Sequence, residues 1–309
     1  LLDKKYFAQN YVSCSLPENN LLPWAEVLKK DAVFKRYEFK ESEIDNIKNE
    51  IYNIINNPSN TNTLPAFKTH IIIPNKVAYI HIKSMDSLRE KEDGKEIRKF
   101  YEEIRDYDKL IIDIRRNGGG SDTYWIRNII EPLAIEPITV KYYGFARGEY
   151  GKPFFEAKKM KFRPISDLDK EVLNKIPKDV RENFDKYYLF SKTINPVESI
   201  KFDGKIYLIV DKAVYSSSES FAAFCKDSGF ATLVGETTGG DGRGINPLFF
   251  SLPNSGLAGR FSGVLCLNGD FTINEEVKTI PDIYVNPTGP IPFNNYSQDE
   301  AVQYICNLK

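Results

Sequence analysis

Three short stretches of this chain combine residue types that acyl-transfer chemistry uses. The first is Val214-Tyr215-Ser216-Ser217-Ser218-Glu219-Ser220, set between an apolar run at 205–210 and an apolar helical pattern at 218–226. A hydroxyl at a strand-to-helix turn sits where backbone amides converge, so negative charge developing on an attacked carbonyl oxygen can be stabilised there. The same letters also spell a helix cap, with Ser217 or Ser218 as the capping residue. The second stretch is Asn117-Gly118-Gly119-Gly120. Its glycines can turn sharply and present bare amides to an oxyanion or to a substrate backbone, or they can simply permit close packing. It lacks the spacing of a dinucleotide-binding fingerprint. The third is the corner 235–244, Gly-Glu-Thr-Thr-Gly-Gly-Asp-Gly-Arg-Gly, which lacks the Lys and Ser/Thr of a phosphate-binding loop.

These loops need a scaffold, and the apolar patterning supplies one. Residues 70–73 and 77–82 flank a Pro74-Asn75 turn and form an expected hairpin. A helix at 94–107 leads into a Leu- and Ile-dense strand at 109–115, which ends in the triple glycine and is followed by a helix at 124–133. A strand, a glycine corner and a helix in succession suggest a parallel crossover unit, whose loops at the carboxyl ends of strands usually carry the chemistry. The rhythm returns with strand 205–210, helix 218–226 and strand 231–234. Further strands are expected at 248–252, 271–273 and 283–285, and a last helix at 299–306. Between the two halves, residues 141–200 are rich in aromatics and lysines, with a helix at 167–176. They form an insertion, either a structural embellishment or a lid facing substrate. Near the start, a short helix at 24–30 and a clearer one at 41–55 make an N-terminal helical segment; Ile44, Ile47, Ile51, Ile54 and Ile55 recur at helical steps.

Composition narrows the function. The chain has 309 residues, with 42 Lys and Arg against 43 Asp and Glu, so nothing in its charge calls for nucleic acid or an anionic membrane. Its longest apolar runs are too short to span a bilayer. Cys14, Cys225, Cys266 and Cys306 are scattered, without metal-ligand spacing, and are expected to be buried thiols.

Taken in order, the pieces VAYIHI (77–82), LIIDIRRNGGG (110–120), SSSE (216–219), LVGETTGGDG (233–242), LPNSG (252–256) and IPDIYV (280–285) resemble the tail-specific or carboxyl-terminal processing peptidases. These S41-type serine peptidases include tricorn-core-like relatives. The resemblance implies an α/β fold, a mixed and mostly parallel sheet with flanking helices around a ClpP/crotonase-like core. The expected division is an N-terminal segment at 1–66, a core at 67–298 holding the insertion 141–200, and a C-terminal helix at 299–309. There is no room before the core for the small peptide-binding domain of the processing peptidases, so substrate selection falls to the groove edge.

The resemblance implies a serine endopeptidase, or a degenerate homologue that binds peptides or another ligand. Ser216 matches the nucleophile, and the amides of Ser217 and of Gly119 or Gly120 match the oxyanion hole. Gly118, Gly239, Gly240 and Asp241 fall at the substrate groove. Asp241 also occupies the slot of the lysine in relatives with a serine-lysine dyad, and a carboxylate cannot supply a neutral amine. In the other branch an acid, here Glu275, orients a histidine. The motif that carries that histidine is replaced by Pro58-Ser59-Asn60-Thr61, leaving His70 and His81 as the candidate bases. The implied partner is a peptide or an unfolded protein segment, with no cofactor or metal. The implied location is extracellular or in a bacterial cell envelope, with a signal or anchor removed.

Overall fold

The computed structural model describes residues 64–251, 258–289, 291–293 and 295–308. The expected helices at 24–30 and 41–55, and Cys14, lie outside these residues. The central sheet has six strands, in the order β1 (Phe67–Ile73), β2 (Val77–Ile82), β3 (Lys109–Asp113), β7 (Lys205–Val210), β8 (Thr232–Gly235) and β12 (Ile283–Tyr284). Antiparallel β1 lies at one edge and pairs with β2. The other strands run parallel. All five residues of β3 are buried, as expected of a parallel strand covered on both faces.

Strand alternation sorts the sheet into two apolar faces. Ala78, Ile80, Ile82, Leu110, Ile112, Leu208 and Leu233 point to one side. There they meet α1 (Glu90–Glu103), α2 (Asp122–Trp125) with its π-helical continuation Ile126–Ile130 and closing turn α3 (Glu131–Leu133), and the later helix that follows Ser216. Val77, Tyr79, Ile111, Tyr207, Ile209 and Val234 point to the other side, where the last helix of the chain packs. α1 begins before the expected position 94. Gly94 is not a boundary but an interior glycine, because a Cβ there would stand 2.5 Å from Asn128 Oδ1.

The insertion contributes strands that its composition did not reveal. β4 (Ile138–Ala146) pairs along its length with β6 (Lys186–Ile194), and short β5 (Arg163–Pro164) and β11 (Leu265–Cys266) complete a four-stranded sheet. Between these strands lie α4 (Lys152–Ala157), α5 (Lys170–Lys175) and α6 (Lys178–Asn183); α5 is shorter than the helix expected at 167–176. β9 (Leu248–Ser251) and β10 (Ala258–Phe261) pair with each other in a two-stranded sheet. The strand expected at 271–273 reduces to a single bridge between Ile273 and Leu267, because the chain turns at once into α8 (Asn274–Val277). Helix α7 (Ser217–Ser228) ends on Gly229 in the left-handed conformation, and α9 (Glu300–Asn307) starts from an Asp299 cap that accepts the amides of Ala301 and Val302. Cys225 and Cys266 are buried free thiols, and Cys306 is half-buried. No helix among the described residues is long and apolar enough to cross a membrane.

A buried ionic knot joins α9 to the main sheet. Arg115, just past β3, contacts Asp113 at 2.5 Å and Asp299 at 2.6 Å, and the Tyr79 hydroxyl donates to Asp113 at 2.7 Å. The knot fixes the strand end from which the triple-glycine loop departs.

Candidate active site

Two loops at the carboxyl ends of β3 and β7 are held together by side chains that satisfy backbone amides. Buried Asp211 accepts the amide of Arg116 at 3.0 Å and that of Ala213 at 3.0 Å, linking both loops through one carboxylate. Asn117, fully buried, donates to Ile82 O at 3.0 Å, accepts the Gly119 amide at 3.0 Å, and offers its own carbonyl to the Tyr215 amide at 3.3 Å. Neither Asp211 nor Asn117 stood out as more than loop residues in the sequence, since their roles depend on contacts between segments far apart in the chain.

Ser216 sits at the head of α7 with φ 58° and ψ −122°. Positive φ is uncommon for a residue with a Cβ and costs about 1–3 kcal/mol, a strain that clusters at functional sites. Its amide donates to Gly240 O at 3.1 Å, and the Gly239 amide donates to Val214 O at 2.7 Å, so the glycine corner after β8 clamps the turn. Gly119 presses on the same turn from the other side. A Cβ at Gly119, where φ is 104°, would stand 2.7 Å from Tyr215 O and 2.9 Å from both Ser216 Cβ and Ser217 N. The structure therefore brings together Ser216, Ser217, Gly119, Gly239 and Gly240. Gly120 lies beside them, bridged to Met85, and Gly118 has open space where a Cβ would be.

The Gly119 amide is engaged by Asn117. The amides of Gly120 and Ser217 have no acceptor among the described residues. The Ser217 hydroxyl turns away from Ser216 and donates to Asp122 at 2.9 Å. Asp122 also receives Lys192 of β6 at 2.8 Å, so the inserted sheet is tied to the first turn of α7. This contact places the insertion next to the candidate nucleophile.

On the opposite flank, buried Glu219 accepts from Asn274 Nδ2 at 3.2 Å and from Thr279 Oγ1 at 2.7 Å. These bonds dock α8 and the turn after it against α7. Glu275 sits on α8 with its carboxyl pushed above the usual carboxylate range by partial burial, then by the charges of Asp241 and Glu219. Lys278 closes this corner. Its side-chain carbons pass 3.4–3.9 Å from where a Gly240 Cβ would lie, alongside the residue whose carbonyl holds the Ser216 amide. No local motif marks Lys278 in the sequence.

The two histidines lie elsewhere. His81 shares the parity of Tyr79 and so leaves β2 on the α9 side, opposite the face that α7 covers. Its ring stacks on Phe293 at 4.5 Å. His70, exposed on β1, stacks on Tyr296 at 4.5 Å. The structure does not bring either imidazole to Ser216.

A search of curated proteins by sequence gives no match. Among solved structures, a candidate peptidase of Parabacteroides merdae superposes with a TM-score of 0.56 at 17% identity, covering 89% of this chain and 86% of that one. Mature CPAF in complex with lactacystin superposes with a TM-score of 0.51 at 15% identity, covering 74% of this chain and 51% of that one. At these identities the likeness is one of fold. The family model for peptidase family S41 matches residues 76–285, the stretch that holds Ser216, the triple glycine and the glycine corner after β8, and the chain accordingly belongs to that family of peptidase-type hydrolases.

Proposed function

We propose that this protein hydrolyses peptide bonds in extended or unfolded segments, with Ser216 as the nucleophile. The observation that carries the reading is the strained Ser216 backbone at the head of α7, held between Gly119 and Gly240. In this reading the Ser217 and Gly120 amides receive the oxyanion, and Gly118, Gly239 and Asp241 border the substrate. Lys278, whose side-chain carbons run alongside the glycine that holds the Ser216 amide, is the candidate to take the serine proton and return it to the leaving amine, a role that serine-lysine pairs fill elsewhere. The inserted sheet, tied to α7 through Lys192 and Asp122, walls one side of the groove. The resemblance to processing peptidases supports an extracellular or cell-envelope location. The test is cleavage of a quenched-fluorescence peptide library by the full chain and by Ser216→Ala. Turnover that vanishes in the variant supports the reading, and turnover that survives it refutes Ser216 as nucleophile.

A second reading, a peptide-binding homologue without turnover, is favoured by the placement of both histidines on the far side of the sheet. Saturable peptide binding, equal in the intact chain and in Ser216→Ala and without any product, would select it.

A further inference from the structure

A second site is built on the sheet face away from Ser216. Cross-strand register sets Lys68 of β1 directly opposite His81 of β2, and Lys83 lies two residues beyond His81, so three basic side chains share one face. With Phe293 and Tyr296 they line a cavity of about 200 Å³. Two of its walls are aromatic. Phe293 lies nearly parallel to the His81 ring, at 14°, and Tyr296 is wedged between His70 and Tyr79, 4.5 Å and 4.8 Å away.

The polar groups here are not accounted for by the fold. His81 Nε2 is buried and has no hydrogen-bond partner among the described residues, while the ring is also bonded to the Arg115 backbone. Leaving a buried polar atom unpaired costs about 1–3 kcal/mol. Neither Lys68 nor Lys83 has an ion-pair partner among the described residues, and no carboxylate lines the cavity. The nearest acid in register, Asp113, is occupied by Tyr79 and Arg115. Paired cations, an unpaired imidazole nitrogen and stacked rings form the complement of an anionic head on a flat apolar body. A cavity of about 150 Å³ already takes up one benzene ring, so this volume suits a ring and its headgroup.

We propose that this cavity binds a small organic anion, a carboxylate or phosphate borne on an aromatic or other flat apolar group. The anion lies between Lys68 and Lys83 and accepts from His81 Nε2, and the flat group lies against the rims of Phe293 and Tyr296, whose faces meet His81, Arg115 and Arg116 in the one case and His70 and Tyr79 in the other. The site is independent of Ser216 chemistry.

The chain contains only two histidines, so imidazole NMR reports the site with little overlap. The full chain is titrated with phenyl phosphate, benzoate, inorganic phosphate and, as an uncharged control, phenol. The proposal predicts saturable shifts of the His81 resonances toward the protonated imidazole with phenyl phosphate and benzoate. Inorganic phosphate binds more weakly, and phenol does not produce that shift. Lys68→Gln and Lys83→Gln, both at exposed positions, each raise Kd about tenfold without changing the thermal midpoint. Failure of His81 to respond to either aromatic anion in the millimolar range, or a response unaltered in both lysine variants, overturns the proposal. Inorganic phosphate binding as tightly as phenyl phosphate overturns the role given to the rings.

Discussion

Adjacent glycines in the signature loop separate a structural requirement from mere flexibility. In Gly119→Ala the new methyl group would stand 2.7 Å from Tyr215 O and 2.9 Å from Ser216 Cβ and Ser217 N, at a residue with φ 104°. None of these atoms is the movable end of a side chain, so the turn itself must shift. The backbone strain costs about 1–3 kcal/mol, and overpacking adds about 1–3 kcal/mol. The sum, roughly 2–6 kcal/mol, is a large part of a typical stability of about 5–15 kcal/mol. A displacement of Ser216 on the order of 1 Å lowers its reaction rate about a hundredfold. Gly118→Ala is the control: nothing lies within 4 Å of the added Cβ, and Gly118 is not among the residues with positive φ. Its stability should stay within about 0.5 kcal/mol of the parent. The assay pairs urea unfolding with the rate of Ser216 modification by a fluorophosphonate. A Gly119→Ala variant that matches the parent in both measurements, or a Gly118→Ala variant impaired as much as its neighbour, would refute the requirement for glycine at 119.

Other predictions test the surrounding supports. Arg115→Ala strips the counter-charge from Asp113 and Asp299, both essentially inaccessible to solvent, and should cost about 3–5 kcal/mol in urea unfolding; a loss below about 1 kcal/mol would show that the knot contributes little. Glu275 has its carboxyl pKa raised in the fold, so the charged form is disfavoured relative to the unfolded chain, and stability falls as pH rises from the ordinary value of 4.5 through the folded value. Glu275→Gln should therefore raise the thermal midpoint near neutral pH and leave it unchanged in acid, and the opposite trend would contradict the upward shift of that carboxyl. Lys278→Met keeps the apolar stem along Gly240 but removes the amine. It should slow Ser216 modification at least about a hundredfold with little change in stability, and an unchanged rate would remove Lys278 as the proton acceptor.

What could be read from the sequence follows from how local each signal is. β2, β3 and β7 were legible because each is a short apolar run bounded by turn residues, and the loops after β3 and β7 were legible because glycine and serine clusters interrupt those runs. β4 and β6 were not. Their inward residues, Tyr187 and Phe145 among them, are interleaved with lysines, and the pairing partners lie 40 to 56 residues apart, so no local pattern marks the two strands. The parity of His81 was readable from Tyr79, but which face of the sheet would carry α7 depends on the crossovers of the whole fold. The supports of Ser216 from Asp211 and Asn117, and the approach of Lys278 to Gly240, exist only once β3, β7 and β8 lie side by side. Nucleophile and oxyanion donors therefore announced themselves in short motifs, whereas the groups that hold and serve them did not.

The central claim is that Ser216 is an activated nucleophile. Incubation of the full chain with a fluorophosphonate, followed by peptide mapping in the mass spectrometer, tests it directly. One adduct is expected, on Ser216, absent from Ser216→Ala and slowed in Gly119→Ala, with Ser217 and Ser218 unmodified. An adduct on Ser217 or Ser218, or a folded chain that stays unmodified while a serine peptidase in the same tube is labelled, would contradict it.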